Sequence, residues 1–339
     1  MLPQSDAIPS GVLGPSAAVL TSLLWVLTSL FFTTAGRRIP VTVVNTARIA
    51  LAVVLLGVTH VLMFGSIWPE IPAQGQLLAL ALSGLIGLSL CDQALFTAFV
   101  DIGPRRALLC MTTSPIFAML FGITFLDERI VGTAYAAIAI TVSGIVWVVT
   151  ERPEGVNASN EPDGTISRAR KLFIRGLTLA FIASISQAAG GMLSKLGMGS
   201  GWLPAEDQLP AMSATLVRMV FGLFGMAPIV LIFIAMARRN SIATSSRHRW
   251  SSGLLLTAGG TVVGPFLGVW MSLVAFKHSP LAVAQTLCSL SPVLILPFSH
   301  FVLGERVTAR AIAGAVIALV GAAVLAFAEP IHTFVFSSP

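Results

Sequence analysis

Ten mainly apolar runs, most about 20 residues or longer, divide the chain: roughly 12–35, 41–65, 76–100, 104–126, 132–150, 173–197, 211–237, 252–275, 279–303 and 307–329. A helix needs ~20 such residues to cross the hydrocarbon core of a bilayer. The runs therefore predict an all-α polytopic membrane protein with ten transmembrane helices. Composition supports this. Only 10% of the 339 residues are charged and 55% are hydrophobic, whereas soluble domains carry about 25% charged residues. So few charges could not cover a water-facing surface of this size. An ordinary cytosolic enzyme, a disordered chain and a secreted disulfide scaffold are excluded. The first run is expected to be a retained helix rather than a signal peptide, because it lacks a basic leading segment.

Cys91, Cys110 and Cys288 all sit inside apolar runs, without a CxxC pair or a nearby His. No metal site, disulfide framework or cofactor is expected from them. The net charge of +6 would suggest nucleic acid in a soluble protein. Here the positive charges sit in loops between apolar runs, so membrane orientation accounts for them and no nucleic-acid partner is expected. There is no P-loop pattern and no H-E-x-x-H, so neither direct ATP drive nor zinc proteolysis is expected.

The longest polar stretch, 151–172, separates two halves of five runs each, 12–150 and 173–329. The halves resemble each other. Adding 177 to positions 83–150 gives a gapless match: Ala98-Phe99 falls on Ala275-Phe276, Ser114-Pro115 on Ser291-Pro292, Leu126-Asp127-Glu128-Arg129 on Leu303-Gly304-Glu305-Arg306, and Gly144 on Gly321. A stripe of small residues repeats as well, Ser83, Gly87 and Cys91 matching Gly260, Gly264 and Gly268. Small residues four apart line one helix face and let another backbone approach closely. Nearer the start of each half, Arg48 aligns with Arg218 and Ser22 with Ser184, at offsets of 170 and 162. Two directly joined copies with an odd number of spans lie in opposite orientations. Two inverted five-helix repeats around a shared cavity are a common plan for secondary transporters.

These residues also carry a resemblance. Trp25 in the first run, Arg48 in the second, and Ala98…Gly103-Pro104…Ala107…Ser114-Pro115…Leu126-Asp127-Glu128-Arg129 are similar to the drug/metabolite transporter superfamily, specifically proteins with two EamA-like domains. The second copy is Ala275…Ser279-Pro280…Ala284…Ser291-Pro292…Leu303-Gly304-Glu305-Arg306, with Gly314 and Gly321. The resemblance covers nearly the whole chain outside the termini and 151–172. It implies a ten-helix carrier of the plasma (inner) membrane that exports or exchanges small metabolites, and it leaves the substrate open. The chain departs from a strict repeat at two places. Gln187 stands where a counterpart of Trp25 would fall, and Asp92 has no acidic counterpart because position 269 is Val.

Lys and Arg favour the cytoplasmic side. Arg37, Arg38, Arg105, Arg106, Arg152, Arg168, Arg170, Lys171, Arg175, Arg238, Arg239, Arg247, Arg249, Arg306 and Arg310 fall on one side, Arg129 and Lys277 on the other. This places both termini outside the cytoplasm and 151–172 inside, although similar ten-helix carriers are often drawn the other way.

A charge at the centre of a bilayer costs ~3 kcal/mol or more, so intramembrane polar groups carry most information. Asp92 reads as a proton- or cation-coupling carboxylate, as a partner for a substrate amine, or as an anchor hydrogen-bonded between helices. The second and third runs are antiparallel, which brings Arg48 to the depth of Asp92 and predicts that the two approach. Arg218 has no matching acid. It could receive a substrate carboxylate or phosphate through two parallel hydrogen bonds, or snorkel toward Glu206 and Asp207, which the reading favours. Lys195 is expected to snorkel, and His60 and His300 to be satisfied interfacial imidazoles. Trp25, Gln93, Gln187 and Trp270 form a second group, since aromatic walls with a few polar groups suit small-molecule sites. Pro115 and Pro292 are repeat-related and predict helix kinks, as hinges or as static packing features. Glu128-Arg129 and Glu305-Arg306 are expected to cap helices or form interfacial ion pairs.

The expected substrate-binding or coupling residues are thus Trp25, Arg48, Asp92, Gln93, Gln187 and Arg218, with a small-molecule substrate, protons or another coupling ion, and lipids as partners. A homodimer is left open. The alternatives are a membrane-embedded enzyme acting on a lipid-linked substrate, with Asp92 as general base, and a non-transporting membrane subunit.

Overall fold

The computed structural model describes residues 10–36, 38–102, 107, 110–129, 132–149, 163–239, 247–291, 293–295 and 308–326. Every regular element among them is helical. The first half holds α1 (Ser10–Gly36), α2 (Val41–Phe64), α3 (Gln74–Gly84), α4 (Cys91–Ile102), α5 (Ser114–Phe125) and α6 (Gly132–Val149). The second holds α7 (Asp163–Gly197), α8 (Ala211–Arg239), α9 (Arg247–Thr261), α10 (Val269–His278), α11 (Leu281–Cys288) and α12 (Ala309–Ala326). Two π-helical segments, Leu85–Leu90 and Val262–Gly268, fuse α3 with α4 and α9 with α10 into continuous rods. The second begins 177 residues after the first, at the repeat-related position.

Among the described residues, six helices are long and apolar enough to cross a membrane: Val12–Gly36, Thr42–Phe64, Gln74–Ala98, Arg170–Gly197, Ala211–Ala235 and Trp250–His278. Four shorter apolar helices accompany them, Ser114–Phe125, Gly132–Trp147, Leu281–Ile295 and Ile312–Leu325. The exterior is apolar, with Leu62, Leu255, Leu231 and Phe224 exposed by 81, 75, 67 and 65%. Soluble monomers do not present apolar surface on this scale. The protein is an all-α, multi-pass integral membrane protein.

The packing exchanges partners between the halves. α3 and α4 lie on α7, while α9 and α10 lie on α1. Equivalent helices also pack on each other, α2 with α8, α5 with α11 and α6 with α12. Swapping the halves leaves this set of neighbours unchanged. The small-residue stripes make the exchange possible. Ser83 Oγ donates to Gly190 O at 2.6 Å, Cys91 Sγ to Ala183 O at 3.3 Å, and a Cβ on Gly87 would lie 2.8 Å from Gly190 Cα. The second stripe meets α1 in the same way: Gly264 lies against Thr28, whose Oγ1 donates to Gly260 O at 2.8 Å.

Several expectations need correction. The fourth run of each half does not form one kinked helix at its proline. The first breaks at Thr112 and Thr113, and α5 restarts at Ser114 with Pro115 in its first turn. Proline is tolerated there because the N–H it lacks would have no intrahelical partner. Thr113 Oγ1 donates to Cys110 O at 2.6 Å across the break. The second half shows the equivalent break at Ser289 and Leu290, and Pro292 itself lies outside the described residues. The polar stretch 151–172 is not all linker either, since α7 starts at Asp163. Just past this stretch Arg175 grips Asp101 of α4 with two hydrogen bonds, 2.7 and 2.6 Å long, which hold the Asp101 carboxyl below the usual carboxylate range.

α6 and α12 cross on glycine. A Cβ on Gly144 would lie 2.7 Å from Gly314 O, and one on the repeat-related Gly321 2.6 Å from Thr141 N. The atoms met are backbone and cannot yield by a rotamer change. Gly144→Leu is therefore expected to cost at least the ~1–3 kcal/mol typical of overpacking. Gly57→Leu, whose Cβ meets nothing within 4 Å, is expected to cost almost nothing. Thermal melts of the two purified variants, followed by size-exclusion monodispersity, check the difference.

Candidate functional site

A cavity of about 520 Å³ lies between the halves. It runs from Trp25, Gln187 and Arg218, deep in their helices, to the ends of α1 and α2 at Gly36 and Val44. Its walls are built in repeat-related pairs. Gly87 and Leu88 face Gly264 and Pro265; Met111, Thr112 and Ser114 from one helix break face Cys288, Ser289 and Ser291 from the other. Arg48 and Ile49 have Arg218 and Met219 as counterparts, and Trp25 has Gln187. Each break therefore puts a short polar segment on the cavity wall, where helix carbonyls and hydroxyls are accessible. Across the bundle these segments are held by repeat-related serines, Thr113 Oγ1 bonding Ser184 Oγ at 2.8 Å and Ser22 Oγ donating to Leu287 O at 2.5 Å.

Five of the six residues expected to carry function line this space: Trp25, Arg48, Asp92, Gln187 and Arg218. Gln93 does not. One residue along a helix is a turn of about 100°, which takes Gln93 off the face that carries Asp92. Its repeat partner Trp270 packs in the core beside Phe266, ring centroids 6.2 Å apart.

Arg48 and Asp92 form an ion pair through Nη2 and Oδ2. Asn45, one turn earlier on α2, accepts a hydrogen bond from Arg48 Nε at 2.7 Å. The guanidinium also lies over the rings of Phe32 and Phe96, 5.3 and 5.7 Å from their centroids, in cation–π contact. Both side chains remain partly open to the cavity, at 13 and 19% exposure.

Arg218 does not snorkel toward Glu206 and Asp207. It is 3% exposed and turned inward. Its guanidinium rests on the crossing of Gly87 and Gly190, where an added Cβ would come within 2.8 and 3.3 Å of Nη2. Nε is buried with no hydrogen-bond partner among the described residues. Ser114 Oγ and Gln285 Oε1 are orphaned in the same way and line the same cavity.

The opposite end is closed. Lys195, expected to snorkel, is instead 9% exposed; its Nζ lies 2.5 Å from Glu128 Oε1 and donates to Ser279 O at 2.6 Å. Glu128 Oε2 accepts the Leu281 backbone N–H at 2.7 Å and so caps α11. Asp127, with φ 49°, turns the chain so that Glu128 folds back over Gly122; the repeat-related residue is Gly304. Beneath this network Phe276 and Leu281 are buried, packed on Gly191. A second hollow beyond it, about 460 Å³, contains Glu128, Lys195, Ser200, Lys277 and His278 and shares no lining residue with the first. His60 is satisfied as expected, by Ser66 O at 2.7 Å and Ser213 Oγ at 3.1 Å. His300, Glu305 and Arg306 lie outside the described residues.

A bundle of paired halves around a cavity open at one face is the setting in which the sequence comparison falls. Residues 12–150 and 174–327 each match the EamA-like transporter family. The chain belongs to the EamA-like transporter family. It is a membrane transporter. A solved crystal structure shares the fold, with a TM-score of 0.70 at 18% identity over 97% of this chain and 99% of the other. No curated protein matches by sequence. For this EamA-like transporter, reasoning from sequence missed Gln285, Ser272 and Phe276 in the cavity and the Lys195–Glu128 contact at its closed end. Gln285 and Lys195 did carry a signal, a polar group inside an apolar run.

Removing one partner of a buried ion pair strands the other, which costs ~3–5 kcal/mol in a dry interior. Because this pair is partly open, Arg48→Ala and Asp92→Ala are expected near the lower end of that range. The double variant Arg48→Met/Asp92→Leu should lose less than either single change. Thermal denaturation of the four proteins in one detergent checks this order.

Proposed function

We propose that this transporter is a secondary carrier of small metabolites, an exporter or exchanger that works by alternating access. Ten spans in two inverted five-helix repeats enclose the substrate cavity. The observation that carries the reading is that cavity's construction. Repeat-related residues from both halves line it in pairs, one end is open, and the other is shut by the Lys195–Glu128 contact above the Phe276 and Leu281 layer. In a pseudo-symmetric carrier the two ends take turns to open around a fixed site. The charge distribution puts the open mouth on the cytoplasmic side, so this is the inward-open state. Substrate contacts fall to Trp25, Gln187 and Arg218, with the Arg48–Asp92 pair as the polar floor beside them.

A membrane-embedded enzyme would need a second acid or a nucleophile close to Asp92. Among the described residues the charged ones lining the cavity are Arg48, Asp92 and Arg218, which favours binding over general acid–base chemistry. Asp92 is also the residue through which a proton would couple, and flux that ignores pH and survives Asp92→Asn would remove that role.

Flux of pooled labelled metabolites into proteoliposomes tests the carrier. Wild type is expected to show saturable flux for at least one pool, and Trp25→Ala to raise its KM several-fold. Flux that never saturates, or none for any pool, would contradict the proposal.

A further inference from the structure

Resting on the carrier reading, we propose that the cavity takes an organic monoanion, a carboxylate on an apolar body, with Arg218 as its counter-ion. The paired construction of the cavity fails at one place. Arg48 and Arg218 are repeat-related, and Asp92 and Val269 are repeat-related. All four line the cavity. Arg48 has its acid in Asp92. The second half has Val269 at the position of Asp92, so Arg218 has no acid of its own and shares Asp92 with Arg48 electrostatically.

The consequences are electrostatic. Two arginines and one aspartate are the charged residues lining the cavity among the described residues, which leaves one positive charge in excess. A guanidinium buried in an apolar bundle is costly unless something matches it. Arg218 is 3% exposed, its Nε has no partner among the described residues, and its Nη2 is fixed against Gly87 and Gly190. A guanidinium seated on glycine backbone with Nε free to donate can receive a carboxylate through charge-assisted hydrogen bonds. A phosphate dianion would bring a second negative charge with nothing to meet it. The remaining groups describe the rest of the ligand. Trp25, Phe32, Phe96 and Phe276 give apolar walls. Gln285 Oε1, buried and unpartnered, asks for a hydrogen-bond donor on the ligand body. A volume of about 520 Å³ lies within the ~300–1,000 Å³ of small-molecule sites.

Four probes test this on the purified full-length protein in nanodiscs: 4-hydroxyphenylacetate, its neutral amide 4-hydroxyphenylacetamide, the cation tyramine, and the dianion phenyl phosphate. Binding is read by calorimetry and by thermal shift. In wild type the carboxylate is expected to bind about tenfold or more tighter than each of the others, the scale of one charge-assisted hydrogen bond. Arg218→Gln removes this preference and Arg218→Lys keeps part of it. Val269→Asp, which supplies the missing acid, abolishes carboxylate binding while keeping the melting temperature at or above wild type. The wild-type comparison stands whether or not the variants fold. Equal affinity for all four, preference for the amide, amine or phosphate, no binding of any, or a preference untouched by Arg218→Gln would each overturn the proposal. Counterflow of labelled probes in proteoliposomes separates the two claims. Arg218-dependent carboxylate binding without counterflow would keep the anion site and remove the carrier. Counterflow without charge preference would do the reverse.

Discussion

A charge buried among apolar helices has to be matched by another charge, by hydrogen bonds or by a ligand, because no bulk water is there to do it. Where this chain places its few interior charges determines what its bundle can do. Arg48 is matched by Asp92, by Asn45 and by two aromatic rings. Lys195 is matched by Glu128 and a backbone carbonyl. The first pair lies on the wall of the open cavity and the second at the closed end. Arg218, deep between them, has no acid of its own: it shares the field of Asp92 with Arg48, and its Nε has no hydrogen bond among the described residues. On the proposed reading the three cations have three tasks: supporting the cavity wall, closing one end, and receiving the substrate.

Close helix approach makes these placements possible. Arg218 can lie flat only because Gly87 and Gly190 leave no Cβ beneath it. The same crossing seats α3 and α4 on α7, and its counterpart seats α9 and α10 on α1. Each half therefore holds the other half's first helix. Movement of one rod against its partner would pass directly to the opposite repeat, and the π-helical segments at 85–90 and 262–268 sit at these crossings. A π turn carries an extra residue and loosens the hydrogen-bond ladder locally, which places the adjustable part of each rod beside the cavity.

Much of this was legible in the sequence because membrane helices obey simple rules. Apolar run length located the helices, and the 177-residue offset identified equivalent positions. Antiparallel neighbours at equal depth brought Arg48 to Asp92. What was not legible depends on side-chain direction and helix breaks. Gln93 sits beside Asp92 in sequence but leaves the cavity by a 100° turn. Pro115 suggested a kink, whereas Thr112 and Thr113 end one helix before the proline starts the next. Lys195 lies near the end of its apolar run, which suggested snorkelling. Its partners Glu128 and Ser279 are distant in sequence and come together only through the packing of three helix ends. The inward turn of Arg218 follows from glycines on two other helices, which its own neighbours in the chain do not reveal.

The central claim is that the closed end must open for transport while the cavity between the halves stays in place. It is tested most directly by locking that end. In a background with Cys91, Cys110 and Cys288 replaced by alanine, Glu128→Cys and Lys195→Cys together would be bridged by a bifunctional thiosulfonate reagent and released with dithiothreitol. Counterflow in proteoliposomes is predicted to stop when the two are bridged and to return on reduction. Counterflow that continues at the same rate in the bridged protein would contradict the account.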